Sequence, residues 1–270
     1  MIDAVDGAPS GAAAIYERYS GILFDVDGVL LYIDEPIPGA PETLTAVREH
    51  GVGVGFVTNN SSRTANAVAE ALRKAGIAAS SDEVITSSYA ATKLLEPGTR
   101  CLVIGREGLI EPLRARGCVL VRAPEDAQAV VVGWDRSLVW DDLRRATLAL
   151  ARGARFVGTN NDVTYPAQEG PWPGNGAVIA ALVAATGRQP EIAGKPEPVV
   201  YRAAAARLPS GRLLMVGDRP ETDLVGATAL GWDTALVLTG ATRPDAVADV
   251  QPRPTWVLND LRDILKPPDA

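Results

Sequence analysis

Apolar and polar positions alternate along the chain with two different periods. Short, nearly continuous apolar runs predict buried strands, and longer stretches with one apolar helical face predict amphipathic helices. Toward the two ends, the predicted strands are GILFDVD, VGVGFVT, RLLMVGD and TALVLT, and the predicted helices are PETLTAVREH, ANAVAEALRKAG, PVVYRAAAARL and ETDLVGATALG. Since buried strands that alternate with helices form parallel sheets covered on both faces, this pattern predicts an α/β fold with a parallel sheet.

The middle of the chain repeats the alternation and predicts a smaller α/β unit of its own. Its strand-like segments are RCLVIG, AVVVGW and ARFVGTN, and its helix-like segments are LIEPLRARG and WDDLRRATLALARG. Turn signals flank the unit, with Glu96-Pro97-Gly98 before it and Gly187-Arg188-Gln189-Pro190 after it. We therefore expect a larger domain from residues 1–97 and 190–270, interrupted by a smaller domain at residues 98–189.

Composition and charge narrow the classes of partner. The 270 residues are 47% hydrophobic and 22% charged, which is ordinary for a globular protein. The formal net charge of −7 and the isoelectric point near 4.9 argue against nucleic acid or an anionic membrane as the main partner, because both attract basic surfaces. An anionic small substrate would therefore need positive charge placed locally.

The N-terminal segment and the cysteines predict a cytoplasmic protein. The segment MIDAVDGAPSGAAAIYERYS lacks the basic start and long apolar run of a signal peptide, and no apolar stretch reaches the ~18 residues of a membrane span. Cys101 and Cys118 form no C-x-x-C pattern, so we expect reduced packing residues rather than a metal site or a disulfide.

The single histidine limits the available chemistry. His50 follows the predicted helix PETLTAVRE just before Gly51, a position typical of a residue at a helix C-terminus. No Gly-x-Ser-x-Gly elbow accompanies it. We therefore look for the nucleophile and the acid–base group among carboxylates rather than in a histidine-activated pair.

Polar residues follow the apolar runs where parallel strands are predicted to end, which is the edge at which open parallel sheets bind ligands. One such group alone is explained by turn formation, since Asp-Gly commonly begins a turn. Several groups at equivalent strand ends favour a shared site for a divalent cation and a phosphate. The candidate residues are Asp25, Asp27, Gly28, Thr58, Asn59, Asn60, Lys195, Asp218 and Asp223.

Each candidate suits a step of phosphoryl transfer. Asp25 would attack phosphorus to form an aspartyl-phosphate, and Asp27 would act as general acid and base. Mg²⁺ prefers oxygen ligands, so we expect the Asp25 carboxylate, the Asp27 backbone carbonyl and Asp218 to hold it, with Asp223 nearby. The Thr58 hydroxyl and the amides around Asn59 and Gly28 would donate to the phosphoryl oxygens, with Asn60 beside them, and Lys195 would neutralise the charge that Mg²⁺ leaves uncompensated.

Four motifs have the order and spacing typical of the haloacid dehalogenase superfamily: D-V-D-G-V, F-V-T-N-N-S, G-K-P and V-G-D-R-P-E-T-D. Over nearly its whole length the chain resembles subfamily IIA, which contains 4-nitrophenylphosphatases, phosphoglycolate phosphatases and NagD-like nucleotide phosphatases. No signature position departs from the pattern. The resemblance implies a Rossmann-like core, an inserted C2-type cap, and Mg²⁺-dependent hydrolysis of small phosphorylated metabolites.

The same resemblance implies a role for each motif residue. Asp25 would be the nucleophile and Asp27 the acid–base residue, while Asp218 and Asp223 would be the metal acids. Thr58 and Asn59 would contact the phosphate, and Lys195 would neutralise its charge. A dehalogenase with an aspartate nucleophile is disfavoured, because family dehalogenases generally lack the second acid that Asp27 supplies.

Two other functions stay open at this point, a non-catalytic module that binds a phosphorylated metabolite and a phosphotransferase or mutase of the same fold. The leaving group would be selected by the cap segment GTNNDVTYPAQEGPWPGNG, in which we expect Tyr165 to lie in a loop and to contact the substrate, with Trp172 as a second wall. Glycerol 3-phosphate, phosphoglycolate, pyridoxal phosphate and nucleoside monophosphates all fit. Caps of this type also suggest a homodimer.

Overall fold

The computed structural model describes residues 13–167 and 169–268. The expectation about a signal peptide concerns mainly residues 1–12, which lie outside the described residues. The strands are β1 (Gly21–Asp25), β2 (Leu31–Tyr32), β3 (Glu35–Pro36), β4 (Gly53–Thr58), β5 (Val84–Thr86), β6 (Arg100–Ile104), β7 (Val119–Val121), β8 (Ala129–Val132), β9 (Arg155–Gly158), β10 (Thr164–Ala167), β11 (Gly170–Pro173), β12 (Glu191–Ile192), β13 (Leu213–Gly217), β14 (Asp233–Val237) and β15 (Trp256–Leu258).

The helices between these strands include those that the hydrophobic pattern predicts, together with two, Ser87–Thr92 and Asn175–Thr186, which it does not. The α-helices are α1 (Ala40–Glu49), α2 (Ala65–Lys74), α3 (Ser87–Thr92), α4 (Glu107–Ala115), α5 (Trp140–Ala151), α6 (Asn175–Thr186), α7 (Pro198–Ala205) and α8 (Val225–Ala229). Short 3₁₀ helices cover Tyr16–Arg18, Ser81–Glu83, Pro124–Asp126, Pro244–Asp249 and Leu261–Leu265, and a π-helical turn covers Pro220–Leu224.

The larger domain is built on a six-stranded parallel sheet in the order β15-β14-β13-β1-β4-β5. The central strand β1 is buried along its whole length. Successive side chains of a strand point to opposite faces, and here Phe24 packs in one hydrophobic cluster while Leu23 packs in another. The sheet therefore has a core on both faces, as the predicted α/β fold requires.

The cap domain is built on a five-stranded parallel sheet in the order β12-β9-β8-β6-β7. Its central strand β8 is entirely buried. The sheet includes β12, which pairs with β9 although it follows the predicted boundary at residue 189. One hydrophobic cluster runs from Leu23 of the larger domain through Ala91 of α3 to Val131 of the cap. The two domains thus share packed apolar side chains.

The segment around Tyr165 is not the loop that the sequence predicts. It forms an antiparallel ribbon of β10 and β11, in which Tyr165 lies opposite Trp172 and Pro166 lies opposite Pro171. A proline lacks the N–H that a ladder hydrogen bond needs, and here the two prolines face each other at one position, so one gap in the ladder accommodates both. The loop prediction was wrong because it treated Pro166 as a strand breaker.

Three further local features concern the single histidine, the two cysteines and the apolar helices. Helix α1 ends at Glu49, and the His50 ring Nδ1 lies 2.8 Å from the Ala46 carbonyl. Cys101 and Cys118 are free and buried. Within residues 13–167 and 169–268, no helix has both the length and the apolar character that crossing a membrane requires.

Candidate active site

The carboxyl ends of β1, β4 and β13 face a cleft between the two domains. Asp25 is the last residue of β1, Thr58 is the last residue of β4, and Asp218 directly follows β13. The open space of the cleft, including the part continuous with solvent, is about 680 Å³. Six of the predicted site residues line it together with Tyr165: Asp25, Asp27, Thr58, Asn59, Asn60 and Lys195.

Lys195 joins two of the predicted acids at the base of the cleft. Its Nζ lies 2.7 Å from Asp25 Oδ1 and 2.6 Å from Asp223 Oδ1, and all three residues are buried. Burial lowers the pKa of Lys195, but the Asp223 and Asp25 carboxylates outweigh it and raise that pKa above its ordinary value. Lys195 is therefore a positively charged ammonium held in a fixed position, and both Lys195 and Asp25 line the cleft.

Asp223 is held by its own loop. Its Oδ2 accepts a hydrogen bond from the Arg219 backbone N–H at 3.0 Å. The hydroxyl of Tyr201 on α7 is shared between the Thr222 carbonyl at 2.5 Å and the Asp223 carbonyl at 3.0 Å. Gly217 is required beside it, because a Cβ there would lie 2.2 Å from the Asp223 Cβ. The π-helical turn and α7 thus fix Asp223 as a partner of Lys195.

Asp218 has one oxygen that the protein leaves without a partner. Its Oδ2 accepts from the Ala241 backbone N–H at 2.7 Å, whereas its buried Oδ1 has no hydrogen-bond partner among the described residues. Burial and the Asp223 carboxylate raise the pKa of Asp218 to about 6. An unpaired, buried carboxylate oxygen is costly in a protein interior, so this atom is suited to a cation.

Three buried acids surround one lysine. One carboxylate oxygen from each of Asp25, Asp218 and Asp223 lies within 4.8 Å of the others. Burial raises the pKa of Asp25 well above its ordinary value and the two neighbouring acids add to the effect, although Lys195 opposes it. Because the acids outnumber the lysine, the cluster has excess negative charge of the kind that a hard divalent cation with oxygen ligands offsets. The donor set therefore fits Mg²⁺.

Asp27 and Gly28 have different tasks from one another. The Asp27 side chain is open to the cleft, and desolvation by the surrounding protein raises its pKa, with Arg63 as the main opposing charge. The Gly28 amide donates to the Leu31 carbonyl at 2.8 Å, so the phosphate contact that the sequence predicts for this amide is not made. Gly28 has a φ of +87°, and a Cβ there would lie 2.4 Å from Asp218 Oδ2. Glycine at this position makes room for Asp218.

The loop after β4 orients a hydroxyl toward the cleft. Thr58 Oγ1 accepts a hydrogen bond from the Asn60 backbone N–H at 3.0 Å, which leaves its own proton for another acceptor. The Asn60 side-chain oxygen accepts from the N–H and hydroxyl of Ser62. Asn59 differs, because its side chain bonds Lys195 and the cap residue Asp162 rather than pointing freely into the cleft.

Several cleft residues from the cap were missed by the sequence analysis. Asn160 and Asp162 follow β9, and Trp134 follows β8. The strand-end rule that located Asp25 applies to the cap sheet as well and would have found them. Arg219 also lines the cleft and directly follows the predicted Asp218. Burial raises the pKa of Asp162, while Lys195 acts against the rise.

Two stacked rings form what we call the aromatic wall, Trp134 and Tyr165. Their centroids are 4.2 Å apart and their planes are inclined by 22°. Trp134 is anchored by hydrogen bonds from its backbone N–H to Ser61 Oγ and from its indole N–H to the Pro173 carbonyl. Trp134 rather than Trp172 lines the cleft beside Tyr165, and the Trp172 ring instead packs under Arg136.

Comparison with known families matches both parts of the larger domain. Residues 22–119 match the model of haloacid dehalogenase-like hydrolases, and residues 192–264 match the HAD-hydrolase-like model. A D-glycerol 3-phosphate phosphatase from Mycobacterium tuberculosis is 41% identical over 93% of this chain and 72% of its own length. An acid sugar phosphatase from Staphylococcus saprophyticus is 35% identical over 93% of this chain and 98% of its own length.

Solved structures agree with these sequence matches. A glycerol phosphate phosphatase from M. tuberculosis in complex with magnesium superposes with a TM-score of 0.88 at 39% identity, covering 94% of this chain and 78% of that one. NagD from E. coli superposes with a TM-score of 0.84 at 30% identity, covering 90% of this chain and 97% of that one.

Proposed function

The chain belongs to the haloacid dehalogenase-like hydrolases and is a magnesium-dependent phosphatase, and from this premise we propose that Asp25 is the nucleophile that accepts the phosphoryl group. The observation that carries the proposal is the fixed position of Asp25. Its Oδ1 accepts from Lys195 Nζ and from the Val26 backbone N–H, both at 2.7 Å. Within the described part of the chain no group donates to Oδ2, so that oxygen remains for attack.

The reaction has two displacements at phosphorus. In the first, Asp25 forms a bond to phosphorus, the bond to the leaving oxygen breaks, and Asp27 donates its proton to that oxygen. In the second, Asp27 takes a proton from water, the water oxygen bonds to phosphorus, and the bond to Asp25 breaks to release phosphate. The raised pKa of Asp27 suits this alternation, because it favours a proton on the acid before the first step.

Asp25, Asp218 and the Asp27 backbone carbonyl would hold Mg²⁺, and Asp223 would support the site through Lys195. When bound, Mg²⁺ supplies positive charge against the phosphoryl oxygens. The phosphoryl oxygens would also accept hydrogen bonds from the Thr58 hydroxyl and from the Lys195 ammonium. The loop of Asn59 and Asn60 would form this side of the site. These contacts would stabilise the negative charge on the phosphoryl group while the bond between phosphorus and the leaving oxygen breaks.

The substrate would be a small phosphomonoester whose leaving group lies against the aromatic wall. The Tyr165 hydroxyl and ring supply a hydrogen-bonding group and an apolar face. Glycerol 3-phosphate, sugar phosphates, phosphoglycolate, pyridoxal phosphate and nucleoside monophosphates belong in the test set, with 4-nitrophenyl phosphate as a general reporter.

The test is a panel of these esters assayed for inorganic phosphate with Mg²⁺ and with excess chelator. We expect phosphate release from a subset of the panel with Mg²⁺ and none with chelator or with the Asp25→Asn variant. Phosphate release that equals leaving-group release shows transfer to water. A deficit of phosphate, with the phosphoryl group found on an added alcohol, would indicate a phosphotransferase and contradict the proposal.

Two further expectations belong to the same proposal. A cytoplasmic location fits an enzyme with reduced buried cysteines that acts on phosphorylated metabolites. A homodimer through the cap is supported by exposed apolar side chains at the start of α5, Val139 and Trp140, which are 57% and 81% exposed. Light scattering of the wild type and of a Trp140→Ser variant tests it, and a wild-type monomer would contradict it.

A further inference from the structure

The side chain of Asn59 grips the backbone of the lysine that pairs with the nucleophile. The Lys195 N–H donates to Asn59 Oδ1 at 2.8 Å, and Asn59 Nδ2 donates to the Lys195 carbonyl at 3.1 Å. Since the Lys195 N–H must be a donor, it also fixes which amide atom of Asn59 is the oxygen. Both polar ends of the Asn59 side chain therefore hold one residue.

The same side chain reaches the cap. Asn59 Nδ2 lies 3.2 Å from each carboxylate oxygen of Asp162, and the Asn160 side chain donates to the Asn59 carbonyl at 2.7 Å. The Ser87 hydroxyl of α3 donates to that same carbonyl at 2.8 Å. Asn59 thus stands at a junction of the loop after β4, helix α3, the cap and the Lys195 segment.

The junction is tightly packed and has no room for a side chain at Gly194. A Cβ at Gly194 would lie 2.5 Å from the Thr159 carbonyl and 2.6 Å from Asn59 Oδ1. The Gly194 N–H also donates to the Thr159 carbonyl at 2.8 Å. The chain reaches Lys195 from the cap along this contact, so a displaced Asn59 would shift the lysine and not only its own loop.

We propose that Asn59 is a positioning residue which, together with Asp162 of the cap, sets the place of Lys195 beside Asp25 and so makes the reaction rate depend on the seating of the cap. The inference rests on the proposed role of Lys195. It assigns the Asn59 side chain to positioning and leaves the expected phosphate contact to the amides around Asn59. A phosphate ligand and a positioning residue differ in kinetics, because the first contributes to substrate binding and the second to the rate of the bound complex.

A partner exchange between Asn59 and Asp162 tests the proposal. Asn59→Asp replaces the donor with a carboxylate that faces Asp162, and we expect kcat to fall roughly 10- to 100-fold with KM changed less than about threefold. Adding Asp162→Asn restores a donor and an acceptor across the same gap, with their direction reversed. The double variant should recover at least about fivefold in kcat over Asn59→Asp.

The matched control uses the neighbouring asparagine. Asn60→Asp lies in the same loop, but the Asn60 side chain bonds Ser62 rather than Asp162, so adding Asp162→Asn should give it no recovery. Thermal melting of every variant checks the fold. If Asn59→Asp does not fold, Asp162→Ala replaces it, and kcat should then fall severalfold with KM nearly constant.

Two results would overturn the positioning role: equal kcat for Asn59→Asp with and without Asp162→Asn, or an Asn59 or Asp162 variant that changes KM alone. A failure of the proposed function has a different signature. In that case the wild-type protein releases no phosphate, or the Asp25→Asn variant remains active.

Discussion

The two sides of the cleft are held in different ways. On the side of the larger domain, Asp25, Lys195 and Asp223 are buried, joined by ion pairs of 2.6 to 2.7 Å, and placed at the ends or in the loops of a central parallel sheet. On the cap side, the aromatic wall is half-buried, and Tyr165 comes from a two-stranded ribbon outside the five-stranded sheet. Ion pairs hold the first side, whereas ring stacking and the two hydrogen bonds of Trp134 hold the second.

This difference suggests a division of work. Buried ion pairs tolerate little change, since removing one partner leaves an uncompensated charge in the protein interior. A stacked ring on a ribbon adjusts more easily, because it makes fewer obligatory hydrogen bonds. We therefore expect changes in the buried cluster to affect every substrate, and changes in the aromatic wall to affect substrates unequally.

The largest effect is expected for Asp25→Asn. The amide is a poor nucleophile, and the substitution also removes the negative charge that pairs with Lys195. The kcat should therefore fall roughly 10⁴-fold or more on every ester. Phosphate release and the melting temperature are measured on the same preparation. A folded variant with more than about one hundredth of the wild-type rate would contradict the role of Asp25 as nucleophile and the claim that the buried cluster controls every substrate.

Asp27→Asn should separate substrates by their leaving group. General acid catalysis contributes about 10²–10⁴-fold where the leaving oxygen needs a proton. Alkyl phosphates should therefore lose more of kcat/KM than 4-nitrophenyl phosphate, whose leaving group departs readily as the anion. Equal losses on both classes would show that Asp27 does not protonate the leaving oxygen.

Asp218 should leave a signature in the stability of the metal-free protein. An acid whose pKa is raised to about 6 binds a proton more tightly in the folded state, so its contribution to the free energy of unfolding grows as pH falls from about 7 to about 5. Paired surface acids with lowered pKa, such as Asp34, act in the opposite sense only near or below their ordinary values.

Melting in chelator between about pH 5 and pH 7 measures this effect. We expect the wild-type melting temperature to rise toward pH 5, and the rise to shrink in Asp218→Asn, which has no proton to bind. An identical rise in both proteins would remove Asp218 as its source. The same variant should need more Mg²⁺ for half-maximal activity, and an unchanged Mg²⁺ titration would place the ion elsewhere.

The smallest change in rate is expected for Tyr165→Ala. The ring would face the leaving group rather than phosphorus. The ratios of kcat/KM among the esters should therefore change by roughly 10-fold, while kcat/KM for 4-nitrophenyl phosphate changes less. Trp172→Ala is a matched control, because Trp172 lies opposite Tyr165 on the same ribbon but does not line the cleft. It should leave the ratios of kcat/KM among the esters unchanged. A uniform loss across the panel, or a loss of stability alone, would make Tyr165 a packing residue.

The same contrast explains what the sequence predicts well. β1, β4 and β13 are apolar runs, and the rule for parallel strand ends locates Asp25, Thr58 and Asp218 from local pattern alone. The cap residues depend on which distant segments meet. Trp134 and Tyr165 are 31 positions apart in sequence and stack only because two strands of the cap and a ribbon converge. No local period contains that information.

Hydrogen-bond partners are also beyond a linear pattern. The sequence places Gly28 and Asn59 near the site and assigns the amides around them to phosphate. The Gly28 amide instead bonds Leu31, and the partners of the Asn59 side chain, Lys195 and Asp162, were not predicted. Asn59 and Asp162 are 103 positions apart, and their contact follows from how the cap is seated on the larger domain. Residue type fixed the neighbourhood, and tertiary packing fixed the partner.

Trapping the phosphorylated enzyme tests the central claim most directly. Asp27→Asn should react with 4-nitrophenyl phosphate yet hydrolyse the intermediate slowly, because the water lacks its general base. Acid quench, borohydride reduction and peptide mass spectrometry should then find the side chain of Asp25, and no other, reduced to the alcohol that an acyl phosphate yields. Steady release of 4-nitrophenolate with Asp25 unmodified, or modification of a different residue, would contradict the aspartyl-phosphate mechanism.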